Sequence, residues 1–142
     1  MVTDPARTLA AGVEILAPVL ERHGFTHASS AAGDSSGGRY ASSMWERGRR
    51  RVELHFRNSL GLVRYHLGDT SIAHEDYMWA VTGERNVTEY PGFSDDPLDG
   101  FRHLRSDLEK YASCFLSGSD ASFLEIAHKA SELKQKAPRL PG

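Results

Sequence analysis

From Arg39 to Gly68 the chain reads RYASSMWERGRRRVELHFRNSLGLVRYHLG. Val52, Leu54 and Phe56 alternate with Arg51, Glu53, His55 and Arg57, and successive side chains of a strand leave opposite faces, so one face is apolar and the other charged. Val63, Tyr65 and Leu67 continue the alternation against Arg64 and His66. This pattern predicts an antiparallel meander whose apolar face needs a cover. Helical sequence on both sides can supply it.

Register follows from where the turns fall. A four-residue turn at Asn58-Ser59-Leu60-Gly61 sets Phe56 opposite Val63, Leu54 opposite Tyr65 and Val52 opposite Leu67. It also sets Glu53 opposite His66 and His55 opposite Arg64. Upstream, a tight turn at Arg47-Gly48 pairs Trp45 with Arg50, Ser43 with Val52 and Ala41 with Leu54. The polar face then carries Tyr40, Ser42, Glu53, His55, Arg57, Arg64 and His66. Chemistry or recognition is expected there.

Before the meander, Asp4 can cap a helix whose first position, Pro5, has no N–H to lose. Leu9, Val13, Leu16 and Leu20 recur on one face of that helix; Pro18 sits near its last turn and Gly24 beyond its end. Phe25 to Ser29 predicts a short edge strand, and the small, polar Ser30 to Gly38 a flexible loop. After the meander, Thr70 or Ser71 is the expected cap of a helix reaching about Val81, with Ile72, Tyr77, Trp79 and Val81 as its apolar contacts. Gly83 to Asp96 reads as a connector. Asp96-Pro97 starts a long helix in which Phe101, Leu104, Leu108, Tyr111 and Phe115 share a face, interrupted by Gly118. Ser119, or a capping box of Ser122 and Glu125, opens a last helix with Phe123, Ile126, Ala130 and Leu133 inward. Pro138 and Pro141 follow it.

The expected fold class is therefore α+β: a small antiparallel sheet of three to four strands, covered on one face by an N-terminal helix and C-terminal helices, in a single domain spanning 1–142. Hydrophobic residues make up 39% and charged residues 25% of the chain, as in a globular protein rather than an extensively disordered one. A net charge of -2 supplies no global attraction to nucleic acid. The arginines at 47, 49, 50 and 51 read as a solvated hairpin tip, with an anion-binding patch as the alternative. The one cysteine, Cys114, excludes an internal disulfide and reads as a buried thiol. With no membrane-length apolar run and no secretory segment at the N-terminus, a cytoplasmic location is expected, and the Asn86-Val87-Thr88 sequon is expected to carry no glycan.

Three chemical constellations compete with simple recognition. GDSSGG at Gly33–Gly38 imitates a serine-protease nucleophile segment at Ser35 and Ser36, but an inserted serine and the lack of a partner-histidine motif argue against it. His55, His66 and His74 are candidate metal ligands, with Glu53, Glu75 or Asp76 to complete a set, though no compact ligand motif is present. His103 and His128 lie in polar-rich helical sequence. Glu53 and His66 can act as an acid–base pair beside Arg57 and Arg64, which suits a small hydrolase or an anion-binding protein. No cofactor is expected.

The order of one helix, a meander and further helices, together with VELHFRNSLGLVRYHLG, resembles compact bacterial accessory or immunity-type proteins. The resemblance implies a binding or toxin-neutralising role and carries no contact residue with it. An interaction protein is thus the preferred expectation, with the face of Tyr40, Glu53, His55, Arg57, Arg64 and His66 meeting a protein partner or a small anionic ligand. A small hydrolase or metal- or anion-binding protein is the alternative.

Overall fold

The computed structural model describes residues 4–35, 38–57, 60–84 and 96–136. Helix α1 (Pro5–Arg22) begins as its sequence dictates: the Asp4 carboxylate accepts from the Ala6 N–H at 3.1 Å, and Pro5 occupies the first turn. Pro18 lies inside α1 without ending it. Leu9, Leu16, Val19 and Leu20 face inward, and Gly12 lies directly against a later helix. A Cβ there would lie 2.5 Å from the Phe101 ring.

Five strands form one antiparallel sheet in sequence order: β1 (Thr26–Ser35), β2 (Gly38–Arg47), β3 (Arg50–Phe56), β4 (Leu60–Leu67) and β5 (Thr70–Ala73). The α+β class and the helical cover are as expected; the strand count is larger than three to four. The additional strand sequence comes from two places. Ser30 to Ser35, expected as loop, continues β1 by pairing with Gly38–Ser43, because a backbone ladder does not require large side chains. Thr70–Ala73, expected as helix, pairs with β4 and buries Ile72.

Register is shifted by two residues from the expected one in both central hairpins. Trp45 faces Val52, Ser43 faces Leu54 and Ala41 faces Phe56. On the other side Leu54 faces Val63, Val52 faces Tyr65 and Glu53 faces Arg64. The first turn has the two residues expected but sits one residue later, at Gly48-Arg49, with Arg47 opposite Arg50 and Gly48 at φ +59, the glycine-first geometry of a two-residue hairpin. Gly68, at φ +57, repeats it before β5. The second hairpin shortens because Leu60 is drawn into the core as a strand residue, with a bulge at His55/Phe56. A shift of two preserves every side chain's face. The expected polar face survives the correction.

Helices α2 (His74–Thr82), α3 (Asp99–Tyr111), α4 (Ser113–Leu116) and α5 (Asp120–Lys136) complete the described chain. Asp96 accepts from the Leu98 N–H ahead of α3, and Ser119 Oγ accepts from the Ser122 N–H at the start of α5. The long expected helix breaks at Ala112, leaving Phe115 on the short α4. Phe25, Tyr65, Phe115 and Phe123 form a contiguous aromatic centre, with Phe115 4.8 Å from Tyr65 and 5.1 Å from Phe123 between ring centroids. Trp45 is fully buried, whereas Trp79 remains partly exposed. Cys114 is half-buried rather than enclosed. Among the described residues, no helix is long and apolar enough to cross a membrane. Most of the connector, residues 85–95, and with it the sequon, lies outside the described residues, as do Ser36, Pro138 and Pro141.

The arginine cluster is not a uniformly solvated tip. Arg50 stands at an apolar-phase position of β3 and is 5% exposed. Its guanidinium donates to the carbonyls of Phe115 at 2.5 Å and Gly118 at 2.7 Å, and pairs with Asp120 at 2.8 Å. These bonds tie the α4–α5 junction to the sheet. Arg47 donates to the His23 carbonyl and lies over the Phe25 ring. Arg49 is left exposed and Arg51 partly so.

Candidate functional site

On the polar face, β3 supplies Glu53 and His55 two residues apart, so both leave the same side of the strand. His66 comes from β4, diagonal to Glu53, whose directly facing neighbour is Arg64. The Glu53 carboxylate spans two imidazoles. His55 Nε2 lies 2.7 Å from Oε2 and His66 Nε2 2.7 Å from Oε1. Partial burial alone would raise the Glu53 pKa, but hydrogen bonds and charge from His55 and His66 outweigh it and hold the carboxyl below its ordinary range. His55 is the more open imidazole at 43% exposure; His66 is at 17%.

Arg64 donates to Ser71 Oγ at 3.1 Å, which directs its guanidinium toward β5. Arg57 follows the end of β3 and is partly exposed. Tyr40 lies across Gly33 on the β1 side: a Cβ on that glycine would meet the Tyr40 hydroxyl at 2.9 Å. The structure therefore gathers Glu53, His55, His66 and Arg64, and sets Tyr40 apart from them.

His74 does not join them. It is fully buried on the helix-covered side, with Nδ1 2.6 Å from the Tyr65 hydroxyl and Nε2 2.9 Å from Asp107 Oδ2. Both ring nitrogens are thus within hydrogen-bond distance of a polar partner, one a hydroxyl and the other a carboxylate. Residues 65 and 66 are neighbours in β4, so the sheet itself separates His74's partner from His66. Glu75 and Asp76 lie in the first turn of α2, and Asp76 pairs with Lys134. Among the described residues, no set of three His, Cys, Asp or Glu side chains is placed to hold a metal ion. In the exposed cluster, each imidazole instead directs its Nε2 to a different oxygen of one carboxylate.

Sequence reasoning missed Asp107 and the buried role of His74. The signal was present: Asp107 falls on the α3 face shared by Leu104, Leu108 and Tyr111, and a carboxylate within an apolar stripe needs a buried partner. Arg50 carries the same signal at strand spacing.

No family model matches this chain, and no curated protein or solved structure matches it.

Proposed function

We propose that this chain is an intracellular protein-interaction or accessory protein, of the toxin-neutralising kind implied by its resemblance to immunity-type proteins. Its contact surface is the sheet face bearing Tyr40, Glu53, His55, Arg57, Arg64 and His66. The observation that carries the proposal is the Glu53 carboxylate held between two histidines on a face whose side chains keep contact with solvent. Ordering those side chains before a partner arrives reduces the entropy lost on binding. Arg51, Arg57 and Arg64 spread positive charge along the face, and Glu53 is already engaged. The complementary partner surface is acidic.

Replacing Arg57 and Arg64 with alanine should weaken affinity for an acidic protein partner at least tenfold, with unchanged circular dichroism and melting temperature. Titration calorimetry with the purified partner reads the loss, which should shrink as salt is added. Equal affinity for both single variants and the parent chain would remove this face from consideration.

The Glu53–His66 hydrogen bond favours a second reading, in which the pair exchanges a proton with a small anion held by Arg64. Glu53→Gln distinguishes the two. It abolishes turnover in a hydrolase but leaves arginine-dependent protein capture largely intact.

A further inference from the structure

We propose that β1 is a docking edge for an extended polypeptide segment of a partner protein, which adds to the sheet as a further strand and seats alternate small apolar side chains between α1 and β1. This surface is separate from the charged face.

β1 borders β2 alone in the sheet order, so its other side presents backbone N–H and C=O groups with no neighbouring strand among the described residues. After a bulge between His27 and Ser29, its register runs unbroken from Ser29 to Ser35. Large side chains do not obstruct the approach: the strand reads THASSAAGDS. The opposite edge is different. β5 has four residues, leads directly into α2 and has α5 packed beside it.

The helical layer also covers β1 less fully than β2. Ala41, Ser43 and Trp45 of β2 are buried, yet the β1 residues paired with them, Ala32, Ser30 and His27, are exposed. Between them and α1 runs a groove of about 460 Å³, whose apolar wall is Ala6, Leu9, Ala10 and Val13 and whose sheet side includes Ala32 and Ala41. One end is polar, where His27 Nε2 lies 2.9 Å from Ser43 Oγ and 3.0 Å from Ser30 Oγ. Among the described residues lining the groove, Glu14 supplies a negative charge.

These features specify the occupant's chemistry. An open strand edge pairs with an extended backbone, and a neighbouring apolar groove accepts every second side chain of that strand. Alanine walls leave room for side chains of valine size, and Glu14 complements a lysine or arginine in the incoming segment. A helix would satisfy the groove but leave the edge amides unpaired.

The test is selection from a phage library of random ten-residue peptides against the full chain, followed by affinity measurement on the parent chain, Ala32→Arg and Ala10→Arg. Both substitutions fall at exposed positions, and melting curves confirm folding for each. The expected peptides carry apolar residues at alternate positions and a basic residue, bind each variant at least tenfold more weakly, and slow hydrogen exchange of β1 amides. Failure to enrich any peptide, binding to both variants as tight as to the parent chain, or protection confined to another element would overturn the proposal. So would a concentration-dependent dimer of the parent chain that dissociates in Ala32→Arg, since a second copy would then fill the edge.

Discussion

Two histidine–carboxylate clusters lie on opposite sides of the same sheet. Tyr65, His74 and Asp107 are fully buried, while Glu53, His55 and His66 share a partly exposed face. The hydrogen-bond lengths are similar, from 2.6 to 2.9 Å. Burial separates their physical roles. Within the core each polar atom has lost its water, so a missing partner costs the full desolvation penalty; on the open face water replaces a lost partner. The buried cluster therefore specifies how α2 and α3 meet β4. The open cluster arranges charge on a surface.

Asp107→Ala should produce the largest effect, a loss of about 3 kcal/mol in urea unfolding, because it leaves His74 Nε2 in an apolar enclosure without its carboxylate. A loss below about 1 kcal/mol would mean that water reaches the site and would erase the contrast. Tyr65→Phe should cost about 1–2 kcal/mol, since it removes the hydroxyl partner of Nδ1 and keeps the ring packing against Phe115.

Glu53→Gln should have the smallest effect, under about 1 kcal/mol at neutral pH. Its pH dependence has a defined sign. The folded-state pKa is depressed, so the carboxylate's contribution is present above the ordinary glutamate range and fades as pH falls through the lower folded value. Unfolding midpoints of the parent chain and Glu53→Gln should accordingly converge on acidification. A difference that grew in acid would reverse the assignment.

Much of the exposed site was legible because strand parity depends only on local alternation. Glu53, His55, Arg64 and His66 were assigned to one face despite a register wrong by two residues. Their detailed partners were less legible: Glu53 faces Arg64 yet bonds diagonally to His66, and side-chain reach decides that after the backbone is paired. The second half of β1, Ser30 to Ser35, escaped recognition for another reason. Its residues show no apolar alternation, since much of the strand is exposed on both sides and its partner strand supplies the order.

Sequence by itself determined the meander, its two faces and the main helical stripes, because alternation and 3.6-residue periodicity are properties of neighbouring residues. It also determined the Asp4 cap, whose bond closes within a few residues, and offered Ser119 as one of two openings for the last helix. Tertiary structure alone decided that Arg50 would be enclosed with Asp120, 70 residues away, and that His74 would meet Asp107 rather than His55 and His66. Those outcomes depend on which helices arrive over which strands, and a buried polar group is stable only where that packing brings its partner.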